Sequence, residues 1–113
     1  MPPAEELDLL QGTLDVLILK TLSWGPRHGY AVARWLHDTS DDVLRVDEGA
    51  LYPALHRLER RGWIESEWGL SENNRRAKYY QLTAQGRQQL RAKALSWSRY
   101  SGAVSKVLAV ARG

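Results

Sequence analysis

EGALYPALHRLERRGW, residues 48–63, sets a proline inside a helical pattern and gathers His56, Arg57, Arg60 and Arg61 onto it. At about 100° per residue, Leu51, Leu55 and Leu58 fall in one narrow stripe, the mark of a helix with a buried side. Gly49, Pro53, His56 and Arg60 lie opposite, flanked by Tyr52 and Arg57. That outer face combines small residues, an aromatic ring and positive charge, with Glu59 as an acid near the edge of the stripe. Gly62 closes the helix as a left-handed cap. Asp47 is a candidate N-cap, which places Pro53 just beyond the first turn. A start near Gly49 avoids that conflict, and the spacing alone does not choose.

Charge along the chain changes at this helix. Residues 1–48 hold 4 Lys/Arg against 9 Asp/Glu, whereas residues 49–113 hold 12 against 4, for a net charge of +3. A basic half beginning at one helix is the electrostatic footprint of a polyanion partner, or else one pole of an internally compensated dipole. The 113 residues contain no cysteine, which removes disulfides, thiolate nucleophiles and Cys-based metal sites. The acidic start MPPAEELDLL has no basic leader, and no run approaches the roughly 20 apolar residues of a membrane span, so a cytoplasmic protein without membrane contact is expected.

Before the basic helix, apolar residues at 7, 10, 14, 17, 18 and 22 predict a first helix that stops at GPRHG. YAVARWLHDTS repeats the pattern through Tyr30, Ala33 and Leu36 or His37, ending in the acidic turn DTSDD. VLRV is at most a short strand. Past Gly62 the period drops to 2: WIESEW and KYYQLT alternate and are rich in aromatic and β-branched residues, and GLSENNRRA between them forms a turn, so the pair reads as a hairpin with a basic tip. Thr83 caps a last helix. In it Leu90, Ala94, Trp97, Ser101, Val104, Leu108 and Ala111 recur at spacings of 4 and 3, a heptad seam. Tyr100, Ala103, Val107 and Val110 form a second stripe beside it. Two apolar stripes on a helix of about 40 Å exceed what this small body covers, so one packs on the first helix and the other on a second copy of the chain.

Three helices and a basic-tipped hairpin follow the order of a winged helix-turn-helix, whose third helix enters the DNA major groove. The expected fold class is mainly α with a small β-hairpin: a winged helix-turn-helix DNA-binding domain over 1–83 and a dimerisation helix over 84–113. LQGTLDVLILKTL, GPRHGYAVARWL, EGALYPALHRLERRGWIESEW and RRAKYYQLTAQGRQQL, matched in order, also make the chain resemble the PadR family of prokaryotic transcriptional regulators, in the short form with one C-terminal helix. The resemblance implies a homodimer on double-stranded DNA with a pseudo-palindromic operator, often a repressor released by a small molecule. It implies that Gly49 to Arg57 begin the recognition helix and that Arg75, Arg76 and Lys78 grip from the wing. Ala77 departs from the family's frequent Arg-Pro-Arg-Lys before the paired tyrosines, which weakens that grip or shifts it to Arg75.

Physically, Gly49, Ala50 and Pro53 let backbone approach phosphate, helped by helix-end amides. Tyr52 offers a hydroxyl to phosphate, Arg57 or Arg60 reaches guanine O6 and N7 with two bonds, and His56 either donates or accepts. His28 and Tyr30 open the second helix, where either phosphate contact or turn stabilisation fits. Arg60 and Arg61 equally suit a helix C-terminus. Trp97 sits in the seam, so two indoles either close the dimer or leave a slot for a planar aromatic effector. HDTSDD has no cage-like spacing and reads as a solvated cap, so no metal or cofactor is expected. The three histidines and scattered carboxylates form no catalytic constellation, and an enzyme is not expected. The competing reading is a winged-helix interaction module whose basic face binds an acidic protein.

Overall fold

The computed structural model describes residues 4–111, with side chains from Gly12 onward. Four helices, α1 (Ala4–Thr21), α2 (Gly29–Thr39), α3 (Glu48–Arg60) and α4 (Ala84–Leu108), surround a small antiparallel sheet of β1 (Arg27–His28), β2 (Ile64–Leu70) and β3 (Arg76–Leu82) in the order β1-β3-β2. The core joins Leu14, Ile18, Leu19 and Leu22 to Val32 and Leu36 of α2, to Leu51, Ala54, Leu55 and Leu58 of α3, and to Ile64, Tyr80 and Leu82 of the sheet. Truncating one such leucine to alanine removes about 2–5 kcal/mol. Leu7 and Leu10, expected on the α1 stripe, lie outside the described side chains.

Helix α3 starts where Asp47 caps it, with Oδ1 accepting from the Ala50 amide at 2.9 Å. It ends in a Schellman arrangement: the Trp63 amide donates to Leu58 at 3.1 Å and the Gly62 amide to Glu59 at 3.0 Å, with Gly62 at φ 78°. The turn is then locked to α4. Thr83 donates its hydroxyl to the Gly62 carbonyl at 2.7 Å and accepts from the Gly86 amide at 3.0 Å. Gly86 lets α4 pass so close to Trp63 that an added Cβ would lie 1.9 Å from the Trp63 oxygen. The direction of α4 is therefore set by the same residues that end α3.

Three local readings change. GPRHG, where the first helix is expected to stop, contains a strand, because Arg27 and His28 pair with Tyr80 and Tyr79 on the edge of β3. VLRV forms none; it connects α2 to α3 as irregular chain. The buried stripe of α2 runs through Gly29, Val32 and Leu36, which turns Tyr30 outward at 64% exposure. In the acidic turn, His37 Nε2 bonds to Asp42 Oδ1 at 2.9 Å, closing the end of α2 on itself.

Candidate nucleic-acid interface

Leu51, Ala54, Leu55 and Leu58 anchor α3, which leaves Gly49, Ala50, Tyr52, Pro53, His56 and Arg60 exposed along its outer side. Pro53 is the sixth helical residue. It has no N–H, so the Gly49 carbonyl lacks its partner one turn on. The N-terminus itself is acidic, since Asp47 takes the Ala50 amide and Glu48 follows it. Negative charge thus stands where the sequence suggested helix-end amides for phosphate, and the positive charge of this helix lies further along.

The entrance of α2 sits beside this helix. Tyr52 packs on Gly29 so closely that a Cβ there would stand 3.0 Å from its Cε1 and hydroxyl. Tyr30, Ala33, Val46, Gly49, Leu51 and Tyr52 line a groove between α2 and α3. His28 does serve the turn: its Nδ1 accepts from the Ala31 amide at 3.2 Å, which puts the proton of the neutral ring on Nε2. Its ring stacks 6.5 Å from Tyr30 and meets the edge of Tyr79 at 5.5 Å. Arg34 donates to the Tyr30 hydroxyl at 3.3 Å. A second groove, between α2 and the hairpin tip, is lined by Arg27, His28, Tyr30, Arg34 and Ser71 to Asn73. Tyr30 borders both grooves, so α3, the α2 entrance and the hairpin tip make one continuous surface.

The hairpin turns through Ser71, whose amide donates to the Arg75 carbonyl at 2.8 Å, with Asn74 at φ 61°. Arg75 and Arg76 are exposed, and the Arg76 guanidinium lies 4.8 Å from the centre of the Trp68 ring. Lys78 is elsewhere. Its ammonium points back to Glu59 of α3 at 3.8 Å, and Ser66 of β2 donates to the same carboxylate at 2.5 Å. Burial first, and the Glu59 charge second, hold the neighbouring Tyr80 phenol above its ordinary range. Arg57 also turns inward, to Asp15 of α1 at 2.6 Å, with Arg61 at 3.8 Å from the other oxygen. Of the twelve residues expected at DNA, nine are exposed and His28 is half-buried, while Arg57 and Lys78 are held by Asp15 of α1 and Glu59 of α3.

Sequence reasoning missed Asp15 and Arg34. The first was legible in principle, as a lone carboxylate inside an otherwise apolar stretch of α1; the second needed the outward turn of Tyr30.

On the far side, α4 leans on α1, and a cleft between them is lined by Gly12, Thr13 and Val16 from α1 and Lys93, Ser96, Trp97 and Tyr100 from α4. The Trp97 and Tyr100 rings are 5.9 Å apart. Of the seam residues, Leu90 packs on the core and Ser101 is half-buried, while Ala94, Trp97, Val104 and Leu108 are exposed in the single chain, Leu108 at 77%.

Residues 18–92 match the Transcriptional regulator PadR-like family. A transcriptional regulator from Clostridium thermocellum is 30% identical with a TM-score of 0.79, covering 88% of this chain and 96% of its own. A PadR-like transcriptional regulator from Bacillus cereus is 30% identical with a TM-score of 0.76, covering 90% and 97%. A PadR family transcriptional regulator from Eggerthella lenta is 34% identical with a TM-score of 0.76, covering 92% and 88%.

Proposed function

Because the chain belongs to the PadR-like family of transcriptional regulators, which are not enzymes, we propose that it is a homodimeric, sequence-specific repressor released by a planar aromatic effector. The continuous surface from α3 across Tyr30 to the hairpin tip carries this reading. Arg57 and Lys78 are neutralised by Asp15 and Glu59, whereas Arg60 and Arg75 carry no ion pair among the described residues. Arg60 and His56 then read base edges, Tyr52, Tyr30 and His28 meet phosphate, and Arg75 and Arg76 hold the duplex from the wing. Arg57 and Lys78 set the angle of α3 and wing.

Two recognition helices in a two-fold dimer read half-sites about 34 Å apart or a multiple of it. Stacking of an effector on Trp97 in the α1–α4 cleft changes that separation, and the ligand favours the form that binds DNA less well.

Fluorescence anisotropy on promoter fragments from the protein's own genomic neighbourhood tests the reading. Wild type is expected to select one duplex, with an affinity that falls steeply with salt. Arg76→Ala should weaken all duplexes alike and lower the salt slope by roughly 1 per subunit, while Arg60→Ala should relax selectivity at one position. Equal binding to every duplex at all salt concentrations, or retention of an acidic protein in place of DNA, would refute it.

A further inference from the structure

Besides its arginines, the wing carries two large apolar side chains outside the core. Ile64 of β2 is buried and Ser66 meets Glu59, yet Trp68 and Leu70 are 60% and 63% exposed. Strand parity says where they stand. Side chains alternate across a strand, and the register pairs Ile64 with Leu82, Ser66 with Tyr80, Trp68 with Lys78 and Leu70 with Arg76. The first two pairs face the core and α3. The last two occupy that same side, where the hairpin has outrun the body of the domain. The reverse side carries Glu65 and Glu67. The Arg76 guanidinium lies 4.8 Å from the Trp68 ring centre, while Lys78, directly across the ladder from Trp68, turns its ammonium to Glu59.

We infer that Trp68 and Leu70 form an apolar wedge that the wing lays in the DNA minor groove, next to the major groove entered by α3, with Arg76 on the flanking phosphate. The inference rests on the DNA-binding reading above. Charge complementarity selects the occupant: an apolar patch flanked by an arginine without an ion pair among the described residues suits a surface that is itself apolar between anionic edges. A minor groove is such a surface, with deoxyribose walls between two rows of phosphate, and apolar side chains enter it at base steps that open readily. The wing then adds selectivity at positions that α3 never touches, through the ease of deforming the sequence there.

The test uses a duplex enriched from a random-sequence library by the full-length wild-type protein. Affinity is measured across a salt series for Trp68→Ala/Leu70→Ala, for Trp68→Phe/Leu70→Met and for Arg76→Ala, with thermal midpoints recorded for each. The alanine pair is expected to lose at least about 10-fold in affinity, as removal of two buried apolar contacts implies, with an unchanged salt slope because no phosphate is released. Arg76→Ala changes the slope, and the conservative pair stays within about threefold of wild type, since it keeps most of the apolar surface. Substituting inosine for guanine beneath the wing removes the minor-groove amino group and leaves the major-groove edge intact. It should tighten wild type and not the alanine pair. Wild-type affinity in a folded alanine pair, or a slope change equal to that of Arg76→Ala, overturns the wedge while leaving the regulator reading standing. If wild type enriches no duplex, both fall together.

Discussion

A carboxylate in the middle of α1 decides what the arginines of α3 are free to do. Asp15 is 8% exposed and offers one oxygen to Arg57 and the other to Arg61. A partly buried, charge-assisted pair of this kind holds two helices in register, and removing one partner leaves the other charge uncompensated. Asp15→Asn is expected to cost about 2 kcal/mol in urea unfolding. A double-mutant cycle with Arg57→Met should show coupling, whereas strictly additive losses would mean that the pair does not bind α3 to α1. Tyr80 makes a second residue-scale prediction. Its folded form holds the phenolic proton more tightly than the unfolded chain does, so its contribution is whole below the ordinary value of 10.0 and is lost as pH rises through the higher folded value. Tyr80→Phe should therefore flatten the loss of stability above about pH 10, and an unchanged alkaline profile would count against that assignment.

Among the elements, α3, β2 and α4 meet at one close junction. The Schellman turn, the Thr83 hydroxyl on Gly62 and the missing side chain at Gly86 converge within a few residues. A methyl group at Gly86 meets backbone oxygen and not a flexible side chain, so relief requires α4 to move. Gly86→Ala should destabilise by about 3 kcal/mol by overpacking, read as a drop in thermal midpoint. Because α4 carries the proposed dimer contacts, the same substitution should also weaken self-association; a wild-type midpoint would show that the junction yields easily. Two caps were legible beforehand, since Gly62 and Thr83 are residue types whose backbone freedom or side chain has one use at those places, whereas the choice between Asp47 and a start near Gly49 was made only by the bond from the Ala50 amide to Asp47 Oδ1. Strand β1 was not, since two residues show no period and need the edge of β3 to become a strand.

At the scale of the whole molecule, α4 extends the chain to 57 Å along its longest axis and presents Val104, Val107 and Leu108 to solvent. Replacing Val104 and Leu108 together by Asp should give monomers in sedimentation, since a paired seam cannot bury two new charges per chain. If the proposed effector site is right, Trp97→Ala should abolish calorimetric binding of planar aromatic compounds without changing the sedimentation of the protein; undiminished binding would rule out Trp97 as that site. Helix order, the change of period at Gly62, the heptad on α4 and the two charge halves were all readable in the sequence, because each is a local pattern repeated along one element. Which cations remain available to DNA was decided only by tertiary structure. Arg57 and Arg60 are three residues apart on one helix, and nothing local separates them. Asp15, distant in sequence, takes one and leaves the other, because ion pairing depends on which helix faces pack together and not on spacing along the chain.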